Sequence, residues 1–142
     1  MSMPLSDIRV LELTNVLGGP LAGRLLGDLG AEVIKIEQPG SGDSSRKLGP
    51  YFLEGESAYF LGFNRNKKSM TLNLRVEEGL SVFYELTKHA DVVLDNFRPG
   101  VLERLKINFE ILNQINPAII SASLSGFGQD GPYSQRPAFD GV

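Results

Sequence analysis

Cysteine is absent from the 142 residues, and histidine occurs once, as His89. The first absence excludes disulfides, thiolate catalysis and zinc–thiolate sites. The second leaves too few members for a histidine-built metal site or a Ser–His pair. No apolar run reaches the roughly eighteen residues that a membrane-crossing helix needs. The opening "MSMPLSDIRV" also lacks the charged-then-apolar layout of a secretory signal. The expectation is a cytoplasmic protein with no membrane partner. A net charge of −3 provides no global field to draw in nucleic acid. An anionic ligand would have to meet a local cluster of bases.

What is present is ordinary for a globular chain: 42% hydrophobic and 22% charged residues, in a length that suits one domain. "IRVLEL", Ile8 to Leu13, reads as a first strand. Pro20 suits the first turn of a following helix, because its missing N–H would have no partner there in any case. Leu21, Leu25, Leu26 and Leu29 recur at helical spacing and predict a buried stripe. Gly30 stands where a left-handed cap belongs, and "EVIKI", Glu32 to Ile36, reads as a second strand. The long connection Gln38 to Gly55 is rich in Gly, Ser and Pro, and its length suits a functional loop. "SAYFLGFN" fits a helix or a strand equally.

Further on, "SMTLNL", Ser69 to Leu74, reads as a strand and Val76 to Thr87 as a helix. In that helix Val76, Leu80, Phe83 and Leu86 share one face, and Glu77 and Glu78 favour the first turn. "DVVLD", Asp91 to Asp95, has the short apolar form of a buried parallel strand. Pro99 is expected to start a short helix through Arg104, and Asn108 to cap another that Asn116-Pro117 stops. "AIISASLSGFG" closes with a strand and a loop. Strands alternating with helices predict an α/β fold: a Rossmann-like, open, mainly parallel sheet with flanking helices.

Three features carry candidate chemistry. The turn Gly18-Gly19-Pro20-Leu21-Ala22-Gly23 resembles a dinucleotide fingerprint, and Glu37 ends the second strand where a ribose-binding acid would sit. Pro20, however, occupies the position where backbone must approach a pyrophosphate, so the turn fits the fold better than that ligand. "FNRNKKS" gathers Arg65, Lys67 and Lys68, with Arg75 beyond the next strand; such bases serve a phosphate-rich ligand or simply a solvated turn. "DNFRPGVLERL", Asp95 to Leu105, lies past the carboxyl end of a buried strand, where open α/β sheets place ligands. It offers Asn96 as a hydrogen-bonding amide, Phe97 as an aromatic face, and Arg98 and Arg104 as phosphate partners. His89 reads as a helix-end residue favourable to the dipole.

Taken in order, "PLSDIRVLELTNVLGGPLAG", "LGDLGAEVIKIEQPGSGDSSR", "FNRNKKSMTLNL", "ADVVLDNFRPGVLERL" and "INPAIISASLSGFGQDGPY" resemble the class III coenzyme A-transferase family. That family is CaiB/BaiF-like and includes formyl-CoA transferase, carnitine CoA-transferase and α-methylacyl-CoA racemase. The resemblance covers essentially the whole chain. It implies that residues 1–142 are the N-terminal, CoA-binding portion of a large domain, with a second domain and a returning segment outside them. Coenzyme A or an acyl-CoA is implied as substrate, with no permanently bound cofactor, and a carboxylic acid as the other partner. Interlocked homodimers are also implied, which a chain without the returning segment would not close.

By the same resemblance, backbone at Val16, Leu17 and Gly18 would line the coenzyme. Leu72, Asn73, Leu74 and Arg75 would pass along the nucleotide, Asn96, Phe97 and Arg98 would flank it, and Arg104 would meet phosphate. Gln38 departs from the pattern, since some relatives carry Arg there. The implied transfer uses an Asp that attacks the acyl-CoA thioester and becomes an aspartyl-CoA thioester. That Asp is expected downstream of "FGQDGP" and beyond Val142; neither Asp130 nor Asp140 matches it, so no catalytic residue is assigned. In racemases a His precedes the Asp of the segment matching "AFDGV". Here that position is Phe139, which disfavours racemisation. A non-catalytic CoA-binding or interaction module remains the alternative from another class.

Overall fold

A computed structural model of the chain describes residues 2–138. Phe139 and Asp140, on which two of the readings above bear, lie outside them. Five parallel strands form the main sheet: β1 (Arg9–Leu13), β2 (Glu32–Glu37), β5 (Lys67–Thr71), β6 (Val92–Asp95) and β7 (Ile120–Ser123). Their spatial order is β5-β2-β1-β6-β7. Counted within this sheet, that is 3-2-1-4-5, the doubly wound order of dinucleotide-binding folds. The helices between strands are α1 (Gly18–Asp28), α2 (Ala58–Asn64), α3 (Glu77–Thr87), α4 (Val101–Arg104) and α5 (Phe109–Ile115). The long connection after β2 contains a 3-10 turn, Ser44–Lys47, and a small hairpin of β3 (Phe52–Leu53) and β4 (Glu56–Ser57).

Because both faces of the sheet are covered, alternate residues of each strand enter different cores. Leu11, Leu13, Ile36 and Val93 face the larger core, with Phe83 of α3, Leu112 of α5, Ile107 and Ile119. Val10, Val33 and Leu94 face the smaller one, where Ala22 and Leu26 of α1 pack. Phe83 has no exposed surface, and burying such a side chain stabilises the fold by about 1.5–3 kcal/mol. On the α1 side the apolar surface stops one step along each strand. Glu12 and Lys35, paired in register across β1 and β2, replace it and are fully enclosed.

Helix α1 corrects the leucine stripe. Leu25 and Leu29 are exposed, Leu21 and Leu26 are half-buried, and the buried face is Gly19, Pro20 and Gly23. Small residues win because the helix must come close to charged groups on the sheet: a Cβ on Gly23 would stand 1.8 Å from a Glu12 carboxylate oxygen. The helix ends as expected. Gly30 has φ +106°, with Gly30 N donating to Gly27 O and Ala31 N to Leu26 O, each at 3.0 Å. These two bonds make a Schellman cap.

Other expectations shift locally. "SAYFLGFN" resolves as helix α2, started by the Ser57 hydroxyl, which accepts from Phe60 N at 3.3 Å. The third main strand stops at Thr71, so Leu72 to Leu74 form a loop beyond the sheet. Val76 is the exposed N-cap of α3 rather than part of its buried face. Asn108 stands at the cap position of α5, but its side chain donates to Glu110 instead of capping. Asn116 ends that helix and donates to Thr87 O and Ala90 O, tying α5 to the turn after α3.

Candidate functional site

A cleft of about 590 Å³ opens at the carboxyl ends of the strands. It is walled by Leu13, Thr14 and Asn15 at the end of β1, Ile36 to Gln38 at the end of β2, Leu72, Leu74 and Arg75 after β5, and Phe97, Val101, Arg104 and Leu105 after β6. Here the connection from β1 leaves toward one face of the sheet, and that from β6 runs toward the helices of the other. This is the switch point at which open α/β sheets form their crevices. Leu13, Leu72, Leu74 and Phe97 supply an apolar wall. A neighbouring groove of about 680 Å³ shares Leu74, Arg75, Arg104 and Leu105, so the two arginines stand where the hollows meet.

Of the residues named from sequence, Leu72, Leu74, Arg75, Phe97 and Arg104 line this cleft, as does Gln38. Asn96 works behind the wall. Its amide donates to Asn15 O and accepts from Asn15 N, each at 2.8 Å, and so joins the ends of β6 and β1. Asn73 Oδ1 accepts from Arg75 N at 3.1 Å and shapes the turn that carries Arg75. Val16, Leu17 and Gly18 form the β1–α1 turn next to Asn15, outside the lining, and Val16 has φ +69°. Arg98 is exposed beyond Phe97, also outside the lining.

The bases divide into two sets. Arg65 grips both oxygens of Asp28 at 3.2 and 2.7 Å, and Lys68 pairs with Glu32. Lys67 is buried against Glu12, Pro20 O and Asn64. The "FNRNKKS" cluster is therefore used internally. Arg75 and Arg104 are exposed at the cleft, and among the described residues no acid lies within ion-pairing distance of either.

Glu37 lines the cleft but is already satisfied. Arg46 donates to both of its oxygens at 2.8 Å, Asp43 N at 2.8 Å and Ser69 Oγ at 2.9 Å. Burial alone would raise its pKa. The bonds from Arg46, Asp43 and Ser69 outweigh burial and hold the carboxyl at about 2. Arg46 is in turn stacked over Phe60, 3.8 Å from the ring centre. An acid so engaged has little capacity left for a ribose hydroxyl, which weakens the dinucleotide reading further.

Beneath the β1–α1 turn lies a feature that sequence reasoning missed. Glu12, Lys35, Asp43 and Lys67 form a buried quartet of two acids and two bases. Lys35 Nζ contacts Glu12 Oε1 at 3.1 Å and Asp43 Oδ2 at 2.9 Å; Lys67 Nζ contacts Glu12 Oε2 at 2.8 Å. The contacts to Glu12 Oε2 and Asp43 Oδ2 are charge pairing without hydrogen-bond alignment. Burial pushes the Lys67 ammonium down, with Glu12 opposing the shift. A signal did exist: Glu12 within "RVLEL" and Lys35 within "EVIKI" are charges of opposite sign flanked on both sides by residues bound for a core. Asp95, buried at the end of β6, is raised by burial although Ser123 and Phe97 N hydrogen-bond it. Among the described residues there is no group of three or more His, Asp or Glu suited to a metal ion.

The sequence profile of CoA-transferase family III matches residues 5–142. The chain belongs to CoA-transferase family III. It is 47% identical over 139 residues to the human succinyl-CoA:glutarate CoA-transferase, covering 98% of this chain and 32% of that protein. It is 49% identical to the acetyl-CoA:oxalate CoA-transferase of Acetobacter aceti, covering 98% of this chain and 36% of the relative. The crystal structure of a CaiB/BaiF family protein from Brucella suis superposes with a TM-score of 0.91 at 43% identity, covering 99% of this chain and 38% of that one. The chain thus spans about a third of the length of the curated family III relatives it matches. Among the described residues no helix is long and apolar enough to cross a membrane.

Proposed function

We propose that this chain supplies the coenzyme A-binding portion of a transferase that moves CoA between carboxylic acids. The observation that carries the reading is the pair Arg75 and Arg104, without acid partners among the described residues, at the rim of an apolar-walled cleft. The apolar wall suits a pantetheine arm and the arginines suit phosphate, which guanidinium binds bidentately. Membership of family III supports a CoA thioester as the substrate class. CoA is substrate here, with no resident cofactor. The nucleophilic Asp that would carry the aspartyl-CoA intermediate lies, in this reading, outside these 142 residues, so the chain alone would bind without turning over. Residues 1–142 are then the N-terminal part of a larger, cytoplasmic, homo-oligomeric enzyme.

Calorimetric titration of the folded chain with CoA, and with NAD as control, tests the reading. Saturable heat with CoA and none with NAD is the expected result. A folded chain that takes up NAD in preference to CoA would overturn it.

A further inference from the structure

The turn at the head of the cleft is held in an unfavourable conformation. Val16 is β-branched yet sits at φ +69°, a region that bulky side chains enter only when their surroundings impose it. Its surroundings are the buried quartet. Thr14 Oγ1 donates to Glu12 Oε1 at 2.7 Å, and Thr14 O accepts from Lys35 Nζ at 2.7 Å. Val16 N donates to Asp43 Oδ1 at 3.2 Å, and Pro20 O accepts from Lys67 Nζ at 2.8 Å. Glu12, Lys35 and Asp43 therefore touch the turn, and Lys67 touches the first turn of α1 that follows it. Asp43 does more, since the same Oδ1 accepts from Ser45 N and Ser45 Oγ at 2.9 and 2.7 Å, and Asp43 N binds Glu37. It bridges the loop after β2, whose Ser41 and Gly42 line the cleft, to the turn after β1, whose Thr14 and Asn15 line it opposite.

We infer that this charge quartet is a positioning device: through Asp43 it fixes Val16 in its strained form and so sets the backbone that the β1–α1 turn presents to the ligand. The inference rests on the CoA-binding reading for its consequence, but the clamp itself can be tested without ligand. None of the four residues is among those lining the cleft, so their effect is indirect. Burial works against ionising Asp43, but the Lys35 ammonium and the Ser45 hydrogen bonds outweigh it, which keeps the carboxylate an acceptor. The quartet is neutral as a whole, which is what lets four charges be enclosed with little water.

Two double variants isolate the acceptor at position 43. Lys35→Met with Asp43→Asn removes one charge of each sign and keeps an oxygen for Val16 N. Lys35→Met with Asp43→Ala removes the same charges and the oxygen. Amide hydrogen exchange at Val16 is read by NMR, alongside circular dichroism and the CoA dissociation constant. The Asn variant is expected to hold Val16 protection and CoA affinity each within about threefold of its wild-type value. The Ala variant is expected to lose about tenfold or more in both, with one shared fold. Equal Val16 exchange in the two folded variants would overturn the clamp. Lost protection with equal CoA affinity would overturn its role in presenting the turn. A wild-type chain that binds no CoA would count against the ligand reading alone, with the exchange comparison still deciding the clamp.

Discussion

Two groups of basic residues lie within one small α/β domain and do opposite things. Arg65, Lys67 and Lys68, adjacent in sequence, are each matched to an acid: Asp28 for the first, Glu12 for the second, Glu32 for the third. Arg75 and Arg104, far apart in sequence, converge on a cleft and have no such acid among the described residues. The denser run is structural and the scattered pair is the one open to a ligand. Density of base in a sequence thus counts for less than whether acids elsewhere in the fold claim it.

Removing an internal base should break this contrast most sharply. Lys67→Met leaves Glu12 enclosed with half its pairing, and losing one partner of a buried pair costs about 3–5 kcal/mol. Urea unfolding should show that loss, and a change below 1 kcal/mol (about the upper limit for an exposed pair) would place Lys67 among the solvated bases. Glu37→Gln tests the acid of the cleft wall. Its folded-state pKa of about 2 lies below the ordinary 4.5, so the carboxylate stabilises the fold fully above pH 4.5 and loses that contribution as pH falls toward 2. The depression corresponds to about 3 kcal/mol at neutral pH. Wild type and variant should therefore differ in urea midpoint at pH 7 and converge on acidification; a gap independent of pH would refute the ionised, arginine-held form.

At the cleft, Arg75→Ala or Arg104→Ala should weaken CoA binding by about 1–3 kcal/mol and leave stability within about 0.5 kcal/mol. If the altered arginine meets the 3′-phosphate, the loss should shrink with dephospho-CoA. Unchanged calorimetric affinity in a folded variant would remove that arginine from the site. Lys68→Ala marks the lower end: an exposed pair with Glu32 contributes no more than about 1 kcal/mol to stability. CoA affinity should stay as it was, and a loss there would move Lys68 into the site.

The main strands and the longer helices were legible because apolar periodicity and caps are local signals. Gly30 and Pro20 mark the ends of α1, and "DVVLD" announces a strand with both faces covered. Leu72, Leu74, Arg75, Phe97 and Arg104 reached the cleft because residues past strand ends converge there in this topology. The packing of α1 was misjudged, since spacing reports which residues share a face but not whether the sheet beneath is apolar. Glu12 and Lys35 make that patch charged, so glycines pack on it and Leu25 and Leu29 turn outward. The role of Asp43 was hidden for another reason. Its partners Val16, on the turn after β1, and Lys35 and Glu37, on β2, meet the loop that carries Asp43 only in the folded sheet.

The engagement of Glu37 by Arg46 also affects which anions the cleft tolerates. A free carboxylate on that wall would repel any phosphate drawn in by Arg75 and Arg104. With Arg46 bound across both its oxygens, the acid contributes almost no net field, and the two arginines act unopposed. By neutralising one of its own walls, a protein of net negative charge can still present a cationic mouth.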